Sequence, residues 1–344
     1  MDHHPRKKIK IFVGVIRDAT AITKALLSTK RAASNVRVAI IKATAHRNPS
    51  VAPSGARVDA ILSLGQYSSH GAFYAAEALV DRLNGTNNAS VAMKCLHIIH
   101  NGLQFGCLMV KDQFSTYSTN AGRNFLNMVT FRDKSDSDAW ELSSWVRWYA
   151  SVLEQELIVS RVLQFYFASK GDTRTITKEK REKKVSMAST SELVKQIVVL
   201  ITFVGLLCDA PDAASSKSKG LVVESLGLIS EDYDSALKEI VLRVREIDDR
   251  ILRLSYDELS EVLDGLRSLE EYKERLGNLF LFRKKHEAFW ETVRVAKERF
   301  TVELTEKAKG MQVVVVGGGD SRTPPSSLPR LIEDISATGH WAQN

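Results

Sequence analysis

Residues 237–279 read Leu237-Lys-Glu-Ile240-Val241-Leu-Arg-Val244-Arg-Glu-Ile247-Asp-Asp-Arg-Ile251-Leu-Arg-Leu254-Ser255-Tyr-Asp-Glu258-Leu259-Ser-Glu-Val262-Leu263-Asp-Gly-Leu266-Arg-Ser-Leu269-Glu-Glu-Tyr272-Lys-Glu-Arg-Leu276-Gly-Asn-Leu279. The apolar positions recur in steps of three and four, which lines them along one face of a helix. Two stripes result, 237–254 and 259–279. Between them Ser255-x-x-Glu258 has the spacing of a capping box, in which each side chain satisfies a backbone N–H the helix leaves open. This stretch therefore predicts two long helices joined by a short turn.

The same reading extends outward. Only seven prolines occur in 344 residues, and five of them stand at 49, 53, 324, 325 and 329, so long intervals are free for uninterrupted helix. Asp138-x-x-Glu141 predicts the start of a further helix bearing Trp140, Trp145, Trp148 and Tyr149, with Trp145, Trp148, Tyr149 and Leu153 spaced for burial. No sustained alternating pattern exists, and short pieces such as Met311–Val316 are the only strand-like ones. The expected fold class is all-α.

Composition divides the chain. A first part spans 1–169, a charged, exposed linker 170–189, a second helical part 190–309, and a Gly/Ser/Thr/Pro-rich flexible tail 310–344, with a looser loop at 211–219. The formal net charge of +7 is also uneven. Residues 1–50 hold 11 Lys/Arg and two acids, giving +9, so the remaining 294 residues carry −2. The three cysteines, 95, 107 and 208, are odd in number and lie far apart, which argues against a disulfide framework or structural zinc. The N-terminus lacks a signal-peptide pattern, and the apolar run Ile197–Cys208 is about twelve residues, short for a bilayer span. The sequons at Asn84 and Asn88 then read as a polar turn in a soluble cytosolic protein.

Catalytic patterns are absent: there is no GxSxG, P-loop or HExxH. The Val313-Val-Val-Val-Gly-Gly-Gly-Asp320 segment lacks the βαβ context of a dinucleotide turn. Cys95, His97 and His100 lack a fourth ligand and read as helix-packing residues rather than a metal site. No enzyme, cofactor or metal is expected. What remains is the basic end. Its sharpest point is the helix-to-turn junction Ile40-Ile-Lys42-Ala-Thr-Ala-His46-Arg47-Asn-Pro49, with Arg57 shortly after. Lys offers a point charge and Arg a bidentate fork, which together suit a phosphorylated headgroup. Each basic residue at an anionic bilayer contributes about 1 kcal/mol. Nucleic acid is disfavoured, because Phe12 is the sole aromatic residue in 1–50 and no stacking platform exists.

Several blocks carry a family resemblance: Lys42-Ala-Thr-Ala-His46, Phe131-Arg-Asp-Lys-Ser-Asp-Ser-Asp-Ala-Trp140, Ser144-Trp-Val-Arg-Trp-Tyr-Ala150 with Leu153-Glu154, and Lys94–Leu103. Over about 10–300 the chain resembles the ANTH domain of AP180/CALM-type clathrin assembly proteins, most of all the plant members. That resemblance implies a right-handed helical solenoid followed by a long-helix bundle. It also implies binding of phosphatidylinositol 4,5-bisphosphate and a role in clathrin-mediated endocytosis or vesicle budding. The expected place of action is peripheral on membranes, at clathrin-coated pits and vesicles or the Golgi apparatus. Partners implied are clathrin heavy chain and, in an alternative reading with little lipid selectivity, a vesicle SNARE helix held by the bundle.

The family holds the headgroup with a Lys in a Lys-Ala-Thr-x-His block, matched here by Lys42 with His46, and with a Pro-Lys-x-Lys-His cluster. In the second cluster Pro53 matches the Pro, whereas Ser54 and Ala56 stand at the lysine positions and Arg57 at the His. The expected headgroup ligands are Lys42, His46, Arg47 and Arg57, with Lys7, Lys8 and Lys10 adding diffuse attraction. Asp-Pro-Phe, Asn-Pro-Phe and Asp-Leu-Leu, the family's clathrin and adaptor motifs, do not occur.

Overall fold

The computed structural model describes residues 4–28, 31–66, 68–119, 124–170, 177–212, 219–279 and 286–317. Among them are twelve α-helices: α1 (His4–Leu26), α2 (Arg31–Ala43), α3 (Gly55–Leu64), α4 (Ser69–Asn84), α5 (Ala89–Phe105), α6 (Leu108–Thr119), α7 (Ser137–Leu163), α8 (Lys178–Met187), α9 (Thr190–Leu207), α10 (Lys219–Asp249), α11 (Tyr256–Leu279) and α12 (Glu287–Gly317). No strand occurs among the described residues. The chain forms two units, residues 1–304 and 305–344; of the second, the described residues 305–317 are helical.

Within the first unit each helix packs on its near neighbours in sequence. α1 lies on α2, α2 on α3 and α4, α4 on α5 and α6, α5 on α7, and α7 on α9. That progression is an all-α solenoid. It ends in a bundle in which α9 contacts α7, α10 and α11, and α10 returns to α5 and α8. α5 is the pivot: 15 of its 17 residues are buried. A helix buried all round must satisfy its polar side chains inside the protein, and α5 carries Lys94, His97, His100 and Gln104.

Local chemistry explains the helix ends. Around Ser255 the capping box forms, with Ser255 N–H donating to Glu258 Oε2 at 2.9 Å and Glu258 N–H to Ser255 Oγ at 3.2 Å. α7 begins earlier than its Asp138 signal suggests. Asp136, in extended backbone, is the N-cap and accepts from Ala139 N–H at 2.8 Å; Asp138 falls inside the first turn. The sequon region is a turn, since α4 closes at Gly85 and Asn88 caps α5. The stripe 237–254 is helical to Asp249, then tightens into a 3-10 turn at Ile251–Arg253 before Leu254 leads into the Ser255 cap.

Trp145, Tyr149 and Leu153 are fully buried, and Trp148 donates its indole N–H to the Leu206 carbonyl at 3.0 Å. Trp140 is half-exposed. α9, capped by Ser189 and Glu192, is the one helix among the described residues long and apolar enough to cross a membrane. Here its Leu193, Ile197, Leu200, Phe203, Val204 and Leu207 are instead core of the bundle.

Two expectations about segments change. The second half of 170–189, read as linker, holds α8. Thr177 caps it, Val185 is buried, and Arg181 pairs with Glu239 at 2.9 Å while lying over the Phe165 ring. Of its charges Arg181 pairs across to α10, while Lys178, Glu179, Lys180, Glu182 and Lys183 stay exposed. The strand-like Met311–Val316 is the end of α12, so the tail expected from 310 begins with helix. Residues 171–176, 213–218 and 318–344 of the expected linker, loop and tail lie outside the described residues.

Candidate functional site: a cationic turn on a buried polar frame

The site is built where α2 ends. Lys42 is exposed in the last turn of α2, where a cation complements the negative end of the helix dipole. Thr44 is buried and closes the helix by donating its hydroxyl to the Ile40 carbonyl at 2.8 Å. The chain then turns through 45–54 to α3, with Asn48 in the left-handed region at φ 56°. Arg47 is exposed on this turn. Arg57, exposed in the first turn of α3, reaches back to the Lys42 carbonyl at 3.4 Å. Lys42, Arg47 and Arg57 are therefore three exposed cations on one short connection.

Beneath them lies a frame from four helices. Asp18 of α1 accepts from the His46 backbone N–H at 2.9 Å, pairs with His46 Nδ1 at 3.0 Å, and receives Arg82 Nη2 of α4 at 2.6 Å. Arg82 Nε also donates to Thr44 Oγ1 at 3.2 Å. Burial alone would raise the Asp18 carboxyl, but the His46 and Arg82 hydrogen bonds outweigh it and hold the group below its ordinary range. Lys94 of α5, 3% exposed, donates to the carbonyls of Ala45 at 2.8 Å, Asn48 at 3.0 Å and Arg47 at 3.2 Å. Burial depresses its ammonium to about 8. Two further bonds hold the turn's far end: Ser90 Oγ to the Pro49 carbonyl, and Leu221 N–H of α10 to the Ser50 carbonyl at 2.9 Å.

Gly14 of α1 is the close-approach point. A Cβ there would stand 2.5 Å from the His46 ring, so only glycine lets α1 press on the turn. With Gly14, Asp18 and Ala25 turned inward, the opposite face of α1 exposes Ile9, Phe12, Val13 and Ile16. These four follow helical spacing and form an apolar stripe on the solvent side.

The structure thus joins Lys42, Arg47 and Arg57 on one turn and gives His46 a different task. Its Nδ1 is spent on Asp18, so His46 ties α1 to the turn. Lys8 is exposed on α1. Lys10 is not a diffuse charge: it is held by Asp133 at 3.5 Å and Asp136 at 3.4 Å, together with the Ser135 hydroxyl, at the start of α7. The Lys7 side chain lies outside the described residues. Asp18, Arg82 and Lys94 were not singled out by sequence. Lys94 did carry a signal, being a lone cation inside the apolar run Val91-Ala-Met-Lys94-Cys-Leu96.

A second polar cluster lies where α5, α7 and α10 meet. His100 bonds Tyr149 through Nδ1 at 2.8 Å and Asp232 through Nε2 at 2.5 Å, and Gln104 donates to Asp232 and to the Leu228 carbonyl at 2.9 Å. Glu156 Oε2 stands 3.9 Å from His100 Nε2 and has no hydrogen-bond partner. Burial first, and the neighbouring Asp232 second, raise the Glu156 carboxyl well above its ordinary range, favouring the protonated acid. These three residues place ligand atoms within 4.8 Å of one another, a donor set that a metal ion would accept. Through its bonds to Tyr149 and Asp232, His100 ties α5 to α7 and α10.

The fold and the turn together define an all-helical adaptor-type module: a solenoid that presents cations at one interhelical connection and has no catalytic constellation among its described residues. Comparison with known proteins assigns the family. The model of the ANTH domain matches residues 35–293, and the chain belongs to the ANTH domain family. It is 36% identical over 270 residues to the Arabidopsis thaliana protein named "Putative clathrin assembly protein At4g40080", covering 78% of this chain and 73% of that one. To "Putative clathrin assembly protein At5g10410" of the same plant it is 29% identical over 319 residues, 89% of this chain and 88% of the relative. A third, "Putative clathrin assembly protein At5g57200", is 28% identical over 263 residues but is matched over only 42% of its length.

Proposed function

We propose that the chain is a non-enzymatic adaptor that docks on phosphoinositide-bearing membrane and promotes clathrin coat assembly in endocytosis or vesicle budding. The observation that carries the membrane reading is the exposure of Lys42, Arg47 and Arg57 on a turn whose backbone is fixed from below by buried donors. In this reading the three cations contact headgroup phosphates, as phosphatidylinositol 4,5-bisphosphate presents them, and His46 supports the turn. The α1 stripe Ile9–Phe12–Val13–Ile16 meets the bilayer's apolar boundary beside it. Membership of the ANTH family, with relatives named as clathrin assembly proteins, supports the coat-assembly part.

The place of action is the cytoplasmic face of coated pits and vesicles, with the Golgi as a further site. Clathrin heavy chain is the coat partner; in the alternative reading, with little lipid selectivity, the bundle of about 190–305 holds a vesicle SNARE helix. Liposome co-sedimentation tests the central claim: the chain pellets with phosphatidylcholine vesicles carrying the bisphosphorylated lipid and not with phosphatidylcholine alone. Equal binding to both, unchanged by Lys42→Glu, would sink it. Pull-down of clathrin heavy chain and of a SNARE helix by the full chain checks the partners; retention of neither removes that part.

A further inference from the structure

We infer that Lys94 is the positioning residue of the cationic turn: its buried ammonium sets the backbone from which Lys42 and Arg47 project. The inference rests on the headgroup reading of that turn. An ammonium has three N–H donors, and here each meets one carbonyl, those of Ala45, Arg47 and Asn48. These carbonyls follow directly on the end of α2. They lie on irregular backbone past its last turn, where no helical partner exists, and the buried ammonium supplies one. Drawing the Ala45, Arg47 and Asn48 carbonyls toward one point inside leaves Arg47 on the exposed side of the turn, while His46 turns inward to Asp18. Lys94 touches no ligand itself. It acts through the turn.

The charged and titratable groups that act on Lys94 come from α1, α3, α4 and its own helix. Asp18 of α1 supplies the opposing charge, with His46 between them on the turn; Arg57 of α3 and Arg82 of α4 repel; Cys95 is its neighbour on α5. Burial pushes the Cys95 thiol up to about 12, which takes it out of the neutral range. Lys94, with its ammonium near 8, is left to change charge between pH 7 and 9. A neutral amine keeps two N–H donors and gains a lone pair, so one of the three carbonyls loses its partner and faces repulsion.

This gives a signature that packing alone does not. The folded-state value of about 8 lies below the ordinary 10.5, so between them the native state holds fewer protons than the unfolded chain. Stability attributable to Lys94 therefore rises with pH across that window. Headgroup binding falls over the same range as the turn loses its third donor. A residue that served only to hold the fold together would move both quantities in one direction.

The experiment uses the full chain and phosphatidylcholine vesicles carrying phosphatidylinositol 4,5-bisphosphate, at pH 7, 8 and 9, with thermal stability followed in parallel. The parent is expected to lose binding several-fold between pH 7 and 9 without loss of stability. Lys94→Met, with helical content checked by circular dichroism, is expected to bind about tenfold more weakly at pH 7, the scale of one charged hydrogen bond lost from the turn, and to be flat with pH. Should Lys94→Met misfold, the parent's pH profile still decides. Flat parent binding across pH 7–9, or parent-level binding by folded Lys94→Met, overturns the inference while leaving the headgroup reading intact. A parent that ignores the inositol lipid at every pH overturns the headgroup reading and this inference with it.

Discussion

Two histidine–aspartate pairs, similar in chemistry, sit in opposite surroundings. His46 and Asp18 meet at 3.0 Å near the surface, with Arg82 as a second cation on the same carboxylate. His100 and Asp232 meet at 2.5 Å in the core, with a second carboxyl, Glu156, in place of the second cation. At Asp18 burial is outweighed by the His46 and Arg82 hydrogen bonds and the carboxyl is held below its ordinary range; at Glu156 burial, with the Asp232 charge second, raises it well above its own. Charge balance decides what each can do. The balanced pair leaves nearby cations free to face solvent, so it can frame a binding turn. The crowded pair links α5 of the solenoid to α10 of the bundle.

Breaking the buried pair has the largest expected effect. His100→Ala strands Asp232 and Tyr149 in the core and is expected to cost about 3–5 kcal/mol in denaturant unfolding, as loss of one member of a buried pair does. A cost below about 1 kcal/mol would show that the network does not hold the two parts together. Next is Asp18→Ala, which removes a charged acceptor from both His46 and Arg82 and is expected to cost about 2–3 kcal/mol. Its acid profile carries the sign. Because the Asp18 value is lowered, its stabilisation is present above the ordinary 3.8 and is lost as pH falls through the lowered value, and the variant should lack that loss.

Lys42→Glu changes two charge units at the exposed end of α2. At about 1 kcal/mol per unit, vesicle binding should weaken roughly thirtyfold, while the unfolding midpoint stays within the error of the measurement. Smallest is Glu156→Gln. Its raised value means that Glu156 stabilises fully below the ordinary 4.5 and that this contribution is lost as pH rises. The amide should match the parent within about 1 kcal/mol in acid and gain on it toward neutral pH. A variant that loses ground as pH rises would show that the carboxylate, not the acid, is the native form.

Much of this was legible in the sequence, and the limits have physical causes. Periodicity located α11 and the second part of α10 because their buried residues recur at helical spacing, and the Ser255–Glu258 box fixed a boundary to the residue because it is a local hydrogen-bond pattern. Lys42, Arg47 and Arg57 could be gathered because they are close in sequence. Asp18, Arg82 and Lys94 could not, because they reach the turn from three other helices, and long-range pairing leaves no local spacing. α8 escapes a local reading for the same reason: what docks it, Glu239 and Phe165 beside Arg181, comes from elsewhere in the chain. His46 was half-read, since its block was recognisable and its partner, 28 residues earlier, was not.

The bonds from Ser90 and Leu221 to the Pro49 and Ser50 carbonyls have a mechanical consequence. A pull applied to Lys42 or Arg47 does not load α2 alone. It passes through the Lys94 and Ser90 anchors into α5 and through Leu221 into α10, the longest helix of the bundle. The turn is thereby moored to two helices far apart in the chain, α5 and α10. Tension at the surface is shared by the whole stack before any single helix end has to fray.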